Sequence, residues 1–243
     1  MKGIVLAGGL GTRLRPLTKH DNKHLLPVYD KRMVEFPLMT LVKAGIDDII
    51  LITGGHNPGK FLEIFKNGNS IGAKRLYYTY QEGEGGIADA LKMARPFMQS
   101  EEPCVVILGD NYFEDGIKDQ YNKWSKNGAQ VFLKEVEAPW AYGIAEIDGK
   151  KIISIEEKPK EPKSNLAIVG CYMFDYTLWS KLDNIEPSVR NELEITDVLK
   201  LYMADKGLGY SFYDGYWKDM GTFETWMETS RRIASISQGA KDE

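Results

Sequence analysis

The chain has 243 residues, 43% hydrophobic and 27% charged, with a net charge of -4. That is enough chain for one large α/β domain with no low-complexity linker, and the slight acidic balance argues against a basic nucleic-acid-binding surface. No apolar run approaches the ~20 residues of a membrane span, and the run Ile4 to Ala7 is too short for a signal-peptide core, so a cytoplasmic protein is expected. Cys104 and Cys171 sit inside apolar runs and read as buried thiols, while His20, His24 and His56 lack metal-ligand spacing.

Gly3 to Ala7 reads as a strand that breaks at Gly8 and Gly9 into a loop carrying Gly11, Thr12, Arg13, Arg15 and Lys23. Backbone N–H groups bared by glycine, with cations beside them, suit a polyphosphate, because the main chain can approach the oxygens and the cations offset their charge. Two common phosphate loops are excluded. A P-loop counted from Gly8 needs glycine where Arg13 stands, and a dinucleotide fingerprint counted from Gly9 needs a small residue where Leu14 stands.

Helical apolar spacing follows over Glu35 to Ala44, with Pro37 in the first turn and Gly45 as the stop. Asp48 to Thr53 is a continuous apolar run, as expected of a strand covered on both faces. Next come a helix capped by Asn57 and reaching about Lys66, a strand over Arg75 to Tyr80, and a turn at Gly83, Gly85 and Gly86. A helix over Ile87 to Met98 and a strand over Cys104 to Leu108 complete this half. The alternation predicts a doubly wound, mostly parallel α/β sheet with helices on both faces. Ligands of such sheets bind outside the carboxyl ends of the strands, so Gly8 to Lys23, Gln81 and Asp110 are expected to open onto one edge.

From Gln130 the pattern turns β-rich. Strands are predicted over Gln130 to Val136, Ile144 to Ile147, Lys151 to Glu157 and Ala167 to Asp175, with Asp148-Gly149 a hairpin turn. Helices follow over Tyr176 to Leu182 and Glu192 to Asp205, the latter with Asn191 as cap and Glu194 at the capping-box position. Two short strands, Tyr210 to Tyr213 and Tyr216 to Lys218, precede a final helix from Thr222 to about Ser235, and the polar tail Ser237 to Glu243 is expected to fray. The whole is read as a single domain over 1-243, with an alternating α/β part over about 1-115 and a smaller β-rich part over about 130-220.

On residue chemistry alone, Asp110 in LGDN is either a hard-oxygen ligand for Mg²⁺ or a turn cap. Asp219 before Gly221 is ordinary turn chemistry. Glu156-Glu157-Lys158-Pro159 closes a strand and, on spacing alone, reads as a solvated strand end. The Gln81 amide could meet the O4 and N3 edge of thymine or uracil, or be solvated.

Two linked motifs, GGLGTRLRPLT from Gly8 and NKHLLPVYDK from Asn22, resemble the signature of sugar-nucleotide pyrophosphorylases, in particular the short form of the glucose-1-phosphate thymidylyltransferases. The resemblance covers Lys2 to about Ile233 and implies that the part over about 1-115 binds nucleotide and the β-rich part over about 130-220 binds the sugar phosphate. It implies Mg²⁺ on Asp110 and on Asp219, the latter through Trp217, Asp219, Gly221 and Thr222, although these relatives usually carry Thr in place of Met220. It implies a nucleotide site of Leu6, Gly8, Gly9, Gly11, Thr12, Arg13, Lys23, His24, Gln81, Gly86 and Asp110, with Arg13, Lys23 and Asp110 catalytic. For the sugar phosphate it implies Asn111, Tyr142, Gly143, Glu157, Lys158, Ile168, Arg190 and Glu192. Relatives generally carry glycine where Asn191 stands. The implied reaction joins dTTP and glucose 1-phosphate into dTDP-glucose, a deoxysugar precursor, with release of pyrophosphate. A homo-oligomer, commonly a tetramer, is implied as well. A uridylyl or N-acetylglucosamine-1-phosphate enzyme and a catalytically silent nucleotide-sugar sensor are the alternatives.

Overall fold

The structure, a computed structural model, describes residues 1–239. The first half runs β1 (Lys2–Ala7), the short hairpin β2 (Pro27–Val28) and β3 (Lys31–Arg32), α1 (Glu35–Lys43), β4 (Asp48–Gly54), α2 (Gly59–Phe65), β5 (Arg75–Gln81), α3 (Ile87–Lys92), β6 (Cys104–Leu108), β7 (Asn111–Phe113) and α4 (Lys118–Lys123). The second half runs β8 (Ala129–Glu135), β9 (Gly143–Asp148), β10 (Lys151–Glu157), β11 (Leu166–Phe174), α5 (Leu178–Leu182), α6 (Ile195–Ala204), β12 (Leu208–Phe212), β13 (Trp217–Asp219) and α7 (Phe223–Gly239).

Nine strands form one sheet in the order β10-β9-β11-β6-β1-β4-β5, with β8 beside β11 and β12 beside β8. β1 lies in parallel between β4 and β6, and β4 in parallel beside β5. β11 is antiparallel to β6, β8 and β9, so the second half joins the sheet in the opposite sense. The continuous apolar runs are explained by burial on both faces. Ile4, Leu6, Ile50, Ile52 and Val106 enter one core cluster with residues of α3, α5 and α6. Their neighbours Val5, Ala7, Ile49, Leu51 and Val105 enter the other, with residues of α1 and α2. Cys104 and Cys171 are buried and free, as expected.

A third cluster of Leu14, Val28, Met33, Met220 and Ile233 packs α7 against the glycine loop and the β2–β3 hairpin. The Trp226 indole N–H donates to the Pro27 carbonyl at 2.8 Å and fastens that contact. Met220, which stands where relatives usually carry Thr, is fully buried in this cluster.

Several boundaries differ from expectation for local reasons. The helix over Ile87 to Met98 stops at Lys92 and resumes as a 3-10 turn over Arg95–Phe97, where Pro96 has no N–H to continue the ladder. Asn57 does not cap α2. It adopts φ 52°, and its amide donates to the His20 carbonyl and to Asp21. The capping box at Asn191 and Glu194 is absent as well, because α6 begins only at Ile195 and the Glu194 carboxylate is engaged by Ser188 and Arg190. Asn191 has φ 58°, the left-handed conformation that glycine would take freely and asparagine tolerates. Helix α7 carries through Ser237 to Gly239, and the rest of the predicted frayed tail lies outside the described residues. Strands β2, β3 and β7 and helix α4 had no sequence prediction. No helix among the described residues is long and apolar enough to cross a membrane.

Candidate active site

Beyond β1 the chain turns through Gly8 and Gly9 into a 3-10 turn over Thr12–Leu14. Gly11 takes φ 64°, its carbonyl accepts from the Thr18 hydroxyl at 2.7 Å, and Leu14 anchors the turn in the third core cluster. Asn22 ties the far side of the loop to the sheet. Its Nδ2 donates to the carbonyls of Ala7 (3.1 Å) and Gly54 (2.9 Å), at the ends of β1 and β4. With both amide hydrogens engaged, its Oδ1 can only accept, from the His24 N–H at 2.9 Å and from His24 Nδ1 at 2.7 Å. The imidazole proton is thereby assigned to Nδ1. Burial, and after it the Lys23 charge, lowers His24 to about 3, so the ring is neutral at pH 7.

Asp110 follows β6, and Asp219 arrives from the other end of the chain. The β7–β13 ladder sets Asp219 opposite Asn111, and the Met220 N–H donates to the Asp110 carbonyl at 2.8 Å. The Lys23 ammonium pairs with Asp110 Oδ2, while Asn111 Nδ2 donates to Oδ1 at 3.0 Å. Burial opposes charge on Asp110, yet Lys23 and these hydrogen bonds outweigh it and hold the carboxyl well below the usual range. Asp219 moves the opposite way, because burial and then the Asp110 charge raise it to about 6 despite Lys23 and Arg13. A β-carbon on Gly221 would lie 2.7 Å from both the Arg13 guanidinium and Asp219 Oδ1, so glycine is what lets these two groups close up beside the turn. Two carboxylates and two cations therefore meet at one point. Among the described residues no group of three or more His, Cys, Asp or Glu is placed to hold a metal ion.

Two cavities adjoin at that point. One, of about 280 Å³, is lined by Leu6, Gly8, Gly9, Lys23, His24, Gln81, Gly86 and Asp110, among others. The other, of about 510 Å³, is lined by Thr12, Asn111, Tyr142, Gly143, Glu157, Ile168 and neighbours. Arg13, Ile87, Leu108, Lys158, Glu192 and Asp219 line both. The convergence expected from element order is thus present, with Gly8–Lys23, Gln81 and Asp110 on one edge. A further cavity, of about 660 Å³, lies across β8, β12 and α6 and is lined by none of the candidate residues.

Four candidates differ from expectation, the first being Thr12, expected at the nucleotide, which lines only the larger cavity. Gly11 lines neither cavity and instead shapes the loop, its Cα against the Lys23 and Thr18 side chains. Arg190 also lines neither. Its guanidinium is bound by Glu194 at 2.8 Å and lies within 3.5 Å of Glu157 and 3.4 Å of Glu192, three carboxylates that offset its charge. Asn111 touches the larger cavity but is engaged within the protein, its Oδ1 accepting from Trp217 Nε1 (2.7 Å) and the Gly170 N–H (3.2 Å). Its geometry is that of a strut between β13, β11 and Asp110.

Glu157 is raised by burial, with Lys158 and Arg190 pulling the other way and Glu194 adding to the rise. Lys158, at φ 45°, turns out of β10 as its N–H donates to the Tyr142 carbonyl at 3.0 Å. Sequence reasoning missed Asn22, Asp89 and Thr196. Asn22 had a signal, since a side chain that caps the next turn is common for asparagine. Asp89, which binds Gln81, and Thr196, a buried hydroxyl beside the larger cavity, had none, because their helices reach the site only through packing.

Comparison with known proteins identifies the family. The family model described as nucleotidyl transferase matches residues 2–236. A glucose-1-phosphate thymidylyltransferase of Neisseria meningitidis is 37% identical over 242 residues, covering 97% of this chain and 83% of the relative. One from Xanthomonas campestris is 39% identical over 246 residues, covering 97% and 81%. Among solved structures, a Bacillus anthracis protein in complex with sucrose, provisionally assigned as a glucose-1-phosphate thymidylyltransferase, superposes with a TM-score of 0.89 at 41% identity, covering 95% of this chain and 94% of that one. A UDP-glucose pyrophosphorylase complexed with UDP-glucose follows at 0.86 and 25% identity, covering 97% and 98%.

Proposed function

The chain belongs to the nucleotidyl transferase family, among the glucose-1-phosphate thymidylyltransferases, and on that premise we propose that it converts dTTP and α-D-glucose 1-phosphate into dTDP-glucose and pyrophosphate. The observation that carries this reading is that the two cavities share Arg13 and Asp219, with the Lys23–Asp110 pair beside them in the smaller cavity. Nucleotide in the smaller cavity and sugar phosphate in the larger would meet there.

The sugar phosphate is already ionised, so no side-chain nucleophile is required. One of its oxygens forms a bond to the α-phosphorus of dTTP as the bond to the departing pyrophosphate breaks in line. The chain's contribution is placement and charge. Lys23 and Arg13 offset the negative charge gathering on the reacting and departing phosphates, and the bared backbone at Gly8 and Gly9 lets those oxygens come close. Lys158, exposed at the junction, steers the sugar phosphate, while Glu157 in the larger cavity accepts from sugar hydroxyls. Arg190 assists only when the phosphate draws it from the carboxylates that hold it. Asp110 and Asp219 would hold Mg²⁺, and the donor set fits, because this ion takes one or two carboxylates and completes its shell with phosphate oxygens and water. Asp219 is raised first by burial and then by the Asp110 charge, so the two carboxylates lie close enough to repel, and a bound cation would relieve that repulsion. Bound there, the ion supplies further charge neutralisation at the phosphates.

The test is pyrophosphate release over a grid of dTTP, UTP, CTP, ATP and GTP against glucose 1-phosphate and N-acetylglucosamine 1-phosphate, with Mg²⁺. The dTTP and glucose 1-phosphate cell is expected to be fastest. A grid blank throughout would leave a nucleotide-sugar sensor as the better reading.

A further inference from the structure

The smaller cavity ends at Gln81, whose side chain closes β5 and is only 6% exposed. A free glutamine amide presents a donor and an acceptor interchangeably by rotating about its last bond, and so distinguishes poorly between a ligand edge and its complement. Here the rotation is blocked. Gln81 Nε2 donates to Asp89 Oδ2 at 2.8 Å and to the Gly86 carbonyl at 3.1 Å, so both amide hydrogens are engaged. A carboxylate oxygen and a carbonyl oxygen both only accept. Turning the amide over would set Oε1 against two acceptors. Gln81 Oε1 lies instead beside Gly8 in the cavity wall and accepts no hydrogen bond from any described residue.

We propose that Asp89 is a specificity-determining positioning residue: by fixing the Gln81 amide it makes the cavity present Gln81 Oε1 as an acceptor, selecting pyrimidine bases whose N3 carries a proton. The inference rests on the proposed nucleotidyl transfer from a pyrimidine triphosphate and names what sets base choice in that site. Thymine and uracil offer N3–H as a donor to Oε1, with O4 beside it for the Gly86 N–H, which donates to no described residue. Cytosine presents the reverse pattern, an N3 lone pair facing Oε1 and an N4 amino group facing an N–H, so both contacts become repulsive. The 5-methyl group is untouched by this device, so dTTP and UTP are treated alike by it. Gly86, at φ 94°, and Gly85, whose Cα lies against the Asp89 carboxylate, keep the backbone close enough for the pair to form.

Asp89→Asn is the direct test, because the amide can offer either an acceptor or a donor to Gln81 and so removes the nearer of the two acceptors that hold it, leaving the Gly86 carbonyl, with little change of shape. Steady-state kcat/KM by pyrophosphate release and Kd by calorimetry without sugar phosphate are measured for dTTP and dCTP on wild type, Asp89→Asn and Asp89→Ala. The dTTP to dCTP ratio is expected to fall by about tenfold or more in both variants, the loss of one well-placed hydrogen bond being worth about that factor. Taking both nucleotides on one preparation cancels any loss of folded protein. If wild type uses dTTP and the ratio is unchanged in both variants, Asp89 has no part in base choice while the proposed reaction stands. If wild type neither binds nor turns over either nucleotide, the reaction and this inference fall together.

Discussion

Asp110 reaches the cavity junction with both carboxylate oxygens engaged, one by Lys23 and one by Asn111. An asparagine there keeps the shape, loses the charge, and turns a donor or a neutral oxygen toward the Lys23 ammonium. Asp110→Asn is therefore expected to bind dTTP and to lose about 10²- to 10³-fold in kcat, as removal of one preorganised electrostatic group does elsewhere. Pyrophosphate release with Mg²⁺ near the wild-type rate would remove Asp110 from the centre. His24 carries a pH prediction. Its native pKa of about 3 lies below its ordinary 6.5, so the stability it contributes is complete above pH 6.5 and is lost as pH falls toward 3. Within that window the unfolded chain binds a proton that the native chain does not, worth up to about 1.4 kcal/mol per pH unit. Urea unfolding of His24→Gln between pH 6 and pH 4 should show a shallower fall than wild type, and parallel falls would contradict the buried neutral ring.

At the scale of elements, the three-residue ladder of β7 with β13 matters beyond its length. It brings Asp219 opposite Asn111, and Asn111 in turn receives the Trp217 indole and the Gly170 N–H at the place where the register of β11 against β8 shifts, between Ile168 and Tyr172. A β-carbon on Gly170 would stand within 3 Å of the Asn111 amide, so the shift and the glycine together admit the strut. Trp217→Phe keeps an aromatic ring, removes the indole N–H and leaves a small void where the second ring lay. The lost bond should cost about 1–2 kcal/mol of stability, the penalty for a buried acceptor deprived of its donor, and raise the Mg²⁺ concentration needed for half-maximal rate. Unchanged urea midpoint and Mg²⁺ dependence would show that the bond positions nothing.

Across the whole molecule the parallel half supplies the loop, Gln81 and Asp110, the antiparallel half supplies Tyr142, Glu157 and Lys158, and the two meet along β6 and β11. Glu157 lines only the larger cavity. Glu157→Gln should thus raise KM for glucose 1-phosphate by about tenfold, the value of one charged hydrogen bond, while the Kd for dTTP measured without sugar stays at its wild-type value. A matching loss of dTTP affinity would mean that the cavities do not act separately.

Local chemistry alone determined the parallel core, the glycine loop and the edge on which it opens. Those follow from apolar runs such as Ile49 to Ile52, which must be covered on both faces, and from strand order, which fixes where carboxyl ends lie. The motif letters were also sufficient to single out Asp110, Asp219, Glu157 and Lys158. Tertiary structure alone decided which partners those groups have: that Arg190 is held by three carboxylates, that Asn111 is a strut, that Glu194 caps nothing, and that Asp89 fixes Gln81. Each of these is a contact between side chains whose elements are joined only by packing, and neither spacing nor composition records the direction in which a side chain points after the layers close.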